Sequence, residues 1–473
     1  MIIEQIYTGC LAQGAYYIES RGEVAIIDPL REVQSYLDKA AAAGATIKYV
    51  LETHFHADFV SGHVDLARKS GAEIIYGPQA NPTFPARIAQ DNQEFKVGDV
   101  TIRVLHTPGH TKESTCYLLI DEQGIETALF SGDTLFIGDV GRPDLAQKAA
   151  DITQEALAGT LFDSLRTKIM TLPDAITVYP AHGAGSACGK NMSKETSDSL
   201  FHQKEVNYAL RADMTRDEFI AEVTHGLTPP PAYFPLNVKM NREGVESFDA
   251  VFLKGTRGLD PAAFEAAANE TSSILLDTRD PQVFALNFVP NSVNIGIDGN
   301  FAPWVGTLIP DITQQILFIA DAGREEEVVT RLARVGYDHA IGYLKGGITA
   351  WIEAGKETDQ IISISADELL NVRLEDAGIQ LVDVRKPAEH YAEHITDSLN
   401  VPLEYINEKM SILDKDQTYY IHCAGGYRSM IFNSLMRARG FHKLIDINGG
   451  FNALKEGAFP GLTAYVCPST MTL

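Results

Sequence analysis

Short apolar runs alternate with amphipathic stretches along the first half of the chain. Runs rich in β-branched and aromatic residues and bounded by glycine or proline predict strands, while apolar residues that recur every three or four positions predict helices. The predicted strands are Tyr16–Glu19, Val24–Ile27, Tyr49–Glu52, Glu73–Tyr76, Thr101–His106, Ser114–Ile120, Thr127–Ser131 and Ala175–Tyr179, and the predicted helices are Glu32–Ala43, Phe59–Ser70 and Met192–Ala212. Strands that alternate with helices indicate a layered α/β domain.

The second half contains an internal repeat. The run Leu275–Pro281 (LLDTRDP) matches Leu381–Pro387 (LVDVRKP), and Asn291–Ile295 matches Asp397–Val401, in both cases 106 residues later. Each copy covers roughly 100 residues, which is the size of a domain rather than of a solenoid unit. Each copy also alternates strands with helices, so we predict two tandem α/β domains with parallel central sheets.

The length of the chain also requires several domains. At 473 residues, about three domains are expected. The stretch Thr228–Ala232 (TPPPA) has three successive prolines, so it can form neither a regular helix nor a central strand and is predicted to be a linker or a wrapping arm. The predicted domains are residues 1–256, 257–357 and 362–473.

Composition excludes several classes of partner. The chain has 39 basic and 63 acidic residues, for a net charge of −24, which disfavours binding to a phosphate backbone. Five scattered cysteines do not form a disulfide framework and favour a reducing cytoplasm. No basic leader and no apolar run of ~18–20 residues is present in the sequence. We expect a cytoplasmic protein without nucleic-acid or membrane partners. The formation of a homo-oligomer is possible.

The run Thr53–Phe59 (THFHADF) places three metal-binding side chains on alternate positions after a predicted strand. His54, His56 and Asp58 could therefore point toward one cavity. A two-metal hydrolase would have another histidine at the position of Phe59. The sequence therefore predicts that one metal ion is bound rather than two.

Three further motifs place metal-binding residues after apolar strands. His110 ends TPGH on a tight turn, Asp133 ends SGD, and His182 ends YPAH. A histidine after a strand is more often structural when it occurs alone. Because strand-end loops at one edge of a sheet meet in space, the four motifs together predict a single metal site.

The order THFHAD, TPGHT, SGDT and YPAHG resembles the metallo-β-lactamase superfamily over about residues 1–245, and with Phe59 it is similar to the persulfide dioxygenase branch. The resemblance implies an αββα sandwich that holds one Fe(II) ion per chain. Carried over by motif, the ligands are His54, His110 and Asp133. Two histidines and one carboxylate on one face of iron leave other coordination positions open.

The remaining motif residues would then surround the ligands. His56, Asp58 and His182 could orient the ligands or a bound water molecule. The alternative is a zinc ion bound by His54, His56 and His110, which would activate hydroxide for hydrolysis.

Three neighbouring residues each have two interpretations. His63, four residues after Phe59, either replaces the missing ligand or is an ordinary helix residue. Arg142, in a GRPD segment that resembles a Gly-Arg motif of the family, either supports the substrate or forms a structural salt bridge. Cys188, in GSACGK with Lys190 nearby, is either an accessible, stabilised thiolate or a packing residue.

In the last domain, the strand Tyr419–His422 leads into Cys423, a glycine-rich loop and then a helix. Backbone N–H groups and the helix N-terminus would stabilise a thiolate or a bound anion, and Arg428 adds positive charge. Four residues separate Cys423 from Arg428, a shorter spacing than in tyrosine phosphatases, which suits a sulfane sulfur better than a phosphate. The other loop residues are Ala424, Gly425, Gly426, Tyr427 and Ser429.

This loop resembles the active loop of rhodanese, and the resemblance covers residues 362–460. The first copy departs from it, because Asp321 stands where the second copy has Cys423. A carboxylate cannot carry a persulfide. We therefore predict a rhodanese-like domain without transferase activity at 257–357, serving as a spacer or docking surface.

The combination resembles fused persulfide dioxygenase–rhodanese proteins of sulfide detoxification. It implies that Fe(II) and O2 oxidise a low-molecular-weight thiol persulfide to sulfite, and that Cys423 moves sulfane sulfur between thiosulfate, a thiol and sulfite. A zinc-dependent, glyoxalase II-like thioester hydrolase fused to a sulfurtransferase is the alternative. A non-catalytic redox or persulfide sensor is a third possibility, which the intact site motifs disfavour.

Overall fold

A computed structural model describes residues 1–145, 152–227 and 229–467. The chain divides into two compact units, one of residues 1–250 with 332–338 and the other of residues 251–331 with 339–473. Thr228 of the predicted linker lies outside the described residues, and 229–231 form neither helix nor strand. Among the described residues, no helix has the length and apolar character needed to cross a bilayer.

The first unit contains two six-stranded sheets. In spatial order, the strands of the first sheet are Ile2–Thr8, Gln13–Ser20, Glu23–Ile27, Thr46–Glu52, Glu73–Tyr76 and Arg87–Ile88, and those of the second are Asp198–Ser199, Thr177–Pro180, Glu126–Gly132, Thr115–Ile120, Val100–His106 and Glu94–Val97. Eight of these twelve strands match the strands predicted from the apolar runs.

The two sheets pack face to face. Ile27 of the first sheet and Phe130 of the second belong to one buried apolar cluster between them. Because side chains alternate between the two faces of a strand, neighbouring residues cover the outer faces. There Tyr17 packs with helices Gln34–Ala42 and His63–Ser70, and Leu129 packs with Gln154–Ser164. The predicted αββα sandwich is confirmed.

All three predicted helices of the first half begin later than their sequence pattern suggests, by two residues at Gln34 and by four or more in the other two. Phe59–Ser70 is helical only from His63, because the carbonyl oxygen of Phe59 accepts from the side-chain amide of Asn241 and the N–H of His63 donates to the hydroxyl of Ser61 instead of to that carbonyl. The prediction for Met192–Ala212 is wrong before Leu200, where Ser199 caps a short helix, and after Val206, where only a 3-10 turn at Tyr208–Leu210 follows. In the part of the chain that the structure describes, the α-helices of the first unit are Gln34–Ala42, His63–Ser70, Gln154–Ser164 with a π-helical turn at Leu165–Ile169, Leu200–Val206, Arg216–Thr224, Phe234–Glu243 and Phe248–Gly255, whose last five residues are counted in the second unit.

The second unit contains two five-stranded parallel sheets, one for each copy of the repeat. In both, the spatial order of the strands is first, fifth, fourth, second and third. The strands of the first copy are Gly258–Leu259, Ile274–Asp277, Val293–Asn294, Ile316–Ile319 and Ala340–Leu344, and those of the second are Ile362–Ile364, Gln380–Asp383, Leu399–Asn400, Tyr419–His422 and Leu444–Ile447.

Helices flank each parallel sheet and give each copy its own core. In the first copy, Phe264 and Trp351 pack against the sheet, and in the second Leu369 and Phe451 do the same. The helices are Pro261–Glu270, Pro281–Leu286, Phe301–Leu308, Glu325–Arg334 and Gly347–Glu353 in the first copy, and Ala366–Glu375, Pro387–Ala392, Ile406–Lys409, Tyr427–Ala438 and Gly450–Glu456 in the second. The predicted pair of tandem α/β domains is confirmed.

Candidate functional site

The metal-binding motifs meet at one edge of the sandwich, where four strands end. The strands are Thr46–Glu52, Val100–His106, Glu126–Gly132 and Thr177–Pro180, and the residues that follow them are His54, His110, Asp133 and His182. All four side chains are buried. Strands from both sheets contribute to the site, so the packing of the sandwich, rather than one loop, fixes its geometry.

His54, His110 and Asp133 form a first ligand group. Their candidate ligand atoms lie within 4.8 Å of one another. The Oδ2 atom of Asp133 is 3.8 Å from Nε2 of His54 and 3.5 Å from Nε2 of His110. Three ligand atoms at this spacing can contact one ion.

Hydrogen bonds on the far side of each ring fix the direction in which both histidines can bind. The hydroxyl of Thr53 donates to Asp28 at 2.8 Å, so it must accept from Nδ1 of His54, 3.0 Å away. Nδ1 of His110 lies 2.9 Å from the carbonyl oxygen of Arg142, to which it donates. Both rings therefore present the Nε2 lone pair to Asp133, as a metal ligand requires.

His56, Asp58 and His182 form a second group, whose ligand atoms also lie within 4.8 Å of one another. Nε2 of His182 is 3.5 Å from Asp58 and 3.5 Å from Oδ1 of Asp133, so Asp133 turns one oxygen to each group. Among the described residues, neither oxygen of Asp133 and neither nitrogen of His182 has a hydrogen-bond partner. Buried polar atoms are rarely left unpaired, so this donor set fits a metal ion.

Phe59 closes one side of the second group. Its ring is buried and lies 4.3 Å from the ring of His56. Nε2 of His56 is turned instead to Asp28 at 3.1 Å and to Glu52 at 3.6 Å. Within the described part of the chain, the ligand atoms of His54, His56 and His110 do not gather as a group, which weakens the alternative zinc set.

Asn241, which no sequence motif marks, holds the metal-binding loop in place. Its side-chain amide donates to the carbonyl oxygens of His56 and Phe59 at 2.8 Å each, and its oxygen accepts from the N–H of Ser61 at 2.8 Å. The residue lies on helix Phe234–Glu243, 185 positions after His56. Because its contacts are long-range, no local pattern could have identified it. Glu52, by contrast, could have been noticed as a carboxylate that ends a strand.

His63 and Arg142 have structural partners. Nδ1 of His63 lies 3.7 Å from Glu52, and burial lowers the pKa of His63 to about 3. His63 joins neither ligand group, so it is not placed as a replacement for the missing ligand. Arg142 donates to Asp144 at 2.9 and 2.7 Å, and its carbonyl oxygen orients His110. Arg142 therefore combines a salt bridge with support of a candidate ligand.

Cys188 lies beside the ligands but does not have the environment of a thiolate. Its candidate ligand atom lies within 4.8 Å of those of Asp133 and His182, and the residue is 1% exposed. Burial, with the charges of Asp58 and Asp133, raises the pKa of Cys188 well above its usual value. Of the two interpretations of Cys188, its burial favours the packing residue. The ammonium group of Lys190 donates instead to backbone carbonyls of a nearby helix end.

Cys423 lies in a tight loop between strand Tyr419–His422 and helix Tyr427–Ala438. The N–H of Gly426 donates to its sulfur at 3.1 Å. The φ angle of Gly426 is +99°, a conformation that favours glycine because it has no Cβ. The loop thus aims a backbone donor and a helix N-terminus at one buried sulfur, which stabilises negative charge there.

The remaining loop residues tie this turn to its surroundings. Ser429 donates through its hydroxyl to the carbonyl oxygen of Gly426 at 3.1 Å, and the carbonyl oxygen of Ala424 accepts from the N–H of Asn452 at 3.0 Å. The hydroxyl of Tyr427 donates to Gly296 of the first copy at 2.7 Å. Gly425, Gly426 and Tyr427 line a cleft of about 470 Å³, whose other wall includes Asp280–Gln282 and Gly296–Gly299 of the first copy.

Arg428 makes two parallel hydrogen bonds to a carboxylate. Its guanidinium donates to the two oxygens of Glu389 at 2.6 and 2.8 Å. Burial opposes the charge, but these bonds raise the pKa of Arg428 above its usual value. Glu389 comes from helix Pro387–Ala392, and no sequence motif indicated that it would reach the loop.

Protein-family models match the N-terminal part of the chain and each copy of the repeat separately. The model of the metallo-beta-lactamase superfamily matches residues 8–182. The model of the rhodanese-like domain matches twice, at residues 260–354 and 365–456.

Three known proteins illustrate the similarity. A crystal structure of a metallo-beta-lactamase from Staphylococcus aureus is 32% identical and covers 73% of this chain and 98% of that chain, with a TM-score of 0.64. A probable hydroxyacylglutathione hydrolase from Schizosaccharomyces pombe is 30% identical over 39% of this chain and 68% of its own length. The crystal structure of ETHE1 from Myxococcus xanthus is 29% identical over 51% of this chain and 98% of that chain, with a TM-score of 0.44. The chain covers only 58% and 57% of two other hydroxyacylglutathione hydrolases, from Schizosaccharomyces pombe and Rhizobium etli.

Proposed function

Because the chain belongs to the metallo-beta-lactamase superfamily and carries two rhodanese-like domains, we propose that it oxidises a low-molecular-weight thiol persulfide and also transfers sulfane sulfur. In the first reaction one persulfide, one O2 and one water give one thiol and one sulfurous acid, which ionises to sulfite. The proposed ligands of a single Fe(II) ion are His54, His110 and Asp133. The finding that supports this most is the buried first ligand group, in which both histidines present Nε2 to Asp133.

The chain's own residues would prepare the site for this chemistry. Iron bound on one face by two histidines and a carboxylate would supply the redox chemistry for a sulfur donor and O2. The backbone bond to Arg142 and the hydroxyl of Thr53 hold the two rings in position. Phe59 supplies an apolar wall, while Asp58 and His182, 3.5 Å apart, could hold the proton of the incoming persulfide.

Cys423 would carry the sulfur in the second reaction. Its sulfur attacks the outer sulfur of the donor, so that a new S–S bond forms and the donor's own bond to that sulfur breaks. The electron pair leaves on the thiolate of a persulfide donor or on the sulfite of thiosulfate. A thiol or sulfite acceptor then takes the sulfur and restores Cys423. The N–H of Gly426, 3.1 Å from the sulfur, would stabilise the anion at each stage.

A zinc-dependent thioester hydrolase is the second candidate for the first unit. The group of His56, Asp58 and His182 favours it, because Asp133 faces this group as well as the first. Among the relatives are proteins named hydroxyacylglutathione hydrolase, at 30–34% identity. A second ion would, however, lack a ligand from position 59.

Metal content and oxygen uptake separate the two candidates. We expect ~1 iron per chain after iron-replete expression, and O2 consumption with glutathione persulfide that follows the iron content. Two zinc ions per chain, with thioester hydrolysis that follows the zinc content and no O2 uptake, would instead support the hydrolase.

The variant Asp133→Ala tests the ligand assignment. Two neutral histidines hold a divalent ion poorly without the carboxylate, so we expect loss of bound iron and a fall in O2-dependent sulfite formation of about 100-fold or more. Cyanide-dependent sulfur transfer from thiosulfate should persist, because Cys423 lies in another unit. The exposed Asp163→Ala is the matched control and should retain both activities. Loss of both activities in a folded Asp133→Ala protein would contradict separate sites.

A further inference from the structure

The positive charge of the cysteine loop is already paired with an acid. Arg428 is the loop's cation, yet Glu389 binds its guanidinium with two hydrogen bonds of 2.6 and 2.8 Å. Paired bonds of this kind are strong and fix the plane of the guanidinium. The charge that could attract a substrate anion toward Cys423 is therefore largely cancelled.

A second carboxylate adds to this effect. Glu404 and Glu389 both interact electrostatically with Arg428, which also interacts with Cys423. The Oε2 atom of Glu404 is buried, and no hydrogen-bond partner for it lies among the described residues. Lys386 is the other cation near Glu404. Glu389 and Glu404 thus both act against the positive charge that Arg428 brings to Cys423.

Glu389 has two contacts in the second copy: besides binding Arg428, its carboxylate accepts from the backbone N–H of Lys386 at 3.2 Å at the start of its own helix, a capping role that Asp280 fills in the first copy. Helix Pro387–Ala392 corresponds to Pro281–Leu286 in the first copy, and Val283, 46% exposed, stands at the position of Glu389. The copy that lacks the cysteine therefore also lacks the acid. Both copies nevertheless have the same strand order, so the fold does not need this carboxylate.

We propose that Glu389 is a specificity-determining residue of the Cys423 site, which by neutralising Arg428 weakens the binding of dianionic thiosulfate and favours persulfide donors with one negative charge or none. The inference rests on the proposed role of Cys423 as sulfur carrier. The bonds made and broken are the same for both donors, since the Cys423 sulfur attacks the sulfane sulfur and a thiolate or sulfite leaves. What differs is the charge that must approach Arg428.

Steady-state kinetics of full-length Glu389→Gln test this proposal. Freeing one unit of positive charge near the loop should lower the KM for thiosulfate on the order of 10-fold, with kcat little changed. The KM for the persulfide of 2-mercaptoethanol, which carries one charge at most, should change much less. Glu389→Asp keeps the charge and should restore the original preference. Glu393→Gln is the matched control, because Glu393 pairs with Lys455 rather than Arg428.

Alkylation of Cys423 measures the same charge without requiring sulfur transfer. The ratio of the rates with anionic iodoacetate and neutral iodoacetamide, followed on the Cys423 peptide, should rise several-fold in Glu389→Gln and stay constant in Glu393→Gln. An unchanged ratio, or a raised ratio with an unchanged KM for thiosulfate, would overturn the specificity role. If the Cys423→Ser variant instead keeps the sulfur-transfer activity of the unaltered protein, Cys423 is not the sulfur carrier. The specificity role of Glu389 then fails with it.

Discussion

The two copies of the repeat keep the same buried scaffold around different loops. In the first copy Arg279 donates to Asp277 at 2.6 Å, and in the second Arg385 donates to Asp383 at 2.6 Å. All four side chains are buried. An asparagine near the end of the next strand, Asn294 or Asn400, donates to the backbone of the same turn in both copies.

The copies differ where the fourth strand ends. Asp321 of the first copy is exposed, whereas Cys423 of the second is buried and accepts from the backbone N–H of Gly426. Breaking a buried ion pair leaves an uncompensated charge and costs several kcal/mol, while an exposed loop residue can change at little cost. The comparison teaches that the buried Asp–Arg pair is kept in both copies because its loss would destabilise the fold. The exposed loop residue can differ without that cost.

A stacked ring pair occupies the same position in both copies but differs in its polar groups. Phe284 and Phe288 stack at 4.1 Å in the first copy, and His390 and His394 stack at 4.1 Å in the second. The histidines fill equivalent space, and Nδ1 of His390 also lies 3.0 Å from Asp383. The second copy therefore has a polar contact to its scaffold that phenylalanine cannot make.

The largest contrast between the copies is expected in sulfur transfer. Cys423→Ser should lower cyanide-dependent thiocyanate formation on the order of 10³-fold or more, because no other group carries the sulfur. Asp321→Ala, the matched change in the first copy, should leave the rate near normal, and the metal content should not change in either variant. Mass spectrometry after thiosulfate treatment should find one added sulfur on the Cys423 peptide. Sulfur on Cys188 or Cys467, with full activity in Cys423→Ser, would refute the contrast.

The shared scaffold predicts effects of similar size in the two copies. Arg385→Leu and Arg279→Leu should each destabilise their own copy by about 3–5 kcal/mol, because each removes the cation paired with a buried aspartate. The loss should be somewhat smaller for Arg385→Leu, because His390 still lies beside Asp383. Hydrogen exchange should accelerate in Gln380–Asp383 for the first variant and in Ile274–Asp277 for the second. Removing the aspartate as well, as in Asp383→Leu with Arg385→Leu, should recover part of the loss. Effects of very different size in the two copies would argue against a common scaffold.

The smallest effect is expected from replacing one histidine of the ring stack by phenylalanine. His390→Phe should destabilise the second copy by about 1 kcal/mol near pH 6, because Asp383 loses one hydrogen bond. Burial opposes ionisation, but the bonds from His390 and Arg385 lower the pKa of Asp383 below its usual value. That stabilisation is fully present above about pH 4, the usual pKa of a carboxyl group, and is lost as the pH falls through the lowered pKa of the folded state.

Hydrogen exchange of Gln380–Asp383 at pH 6 and pH 3 measures this difference, once the intrinsic exchange rates are corrected for pH. The original protein and His390→Phe should differ by nearly the same amount at pH 6 and pH 3, because the pKa of Asp383 is lowered well below its usual value, and the difference should shrink only when the pH falls below about 2. Phe284→Leu in the first copy is the control and should show no such pH dependence. If the difference in the second copy grows on acidification, the predicted direction of its pH dependence is wrong.

The sequence by itself determined the classes of element and the positions of most chemical groups. Strand patterns such as Val24–Ile27 and Glu73–Tyr76 coincide with observed strands, because alternation and β-branching are local properties. The motifs of His54, His110 and Asp133 could be located for the same reason, since each follows its own strand. The repeat located both copies, because its matching runs lie a constant 106 residues apart along the chain.

Tertiary structure decided which groups meet and what surrounds them. Asn241 reaches His56 across 185 residues, and Glu389 reaches Arg428 across 39, contacts that no local pattern encodes. Burial decided between the two interpretations of Cys188 in favour of a packed thiol with a raised pKa. The side-chain amide of Asn241 binds the carbonyl oxygen of Phe59, so the helix begins only at His63. Propensity and periodicity act over a few neighbouring residues, whereas desolvation, charge pairing and ligand geometry depend on side chains that only the folded chain brings together.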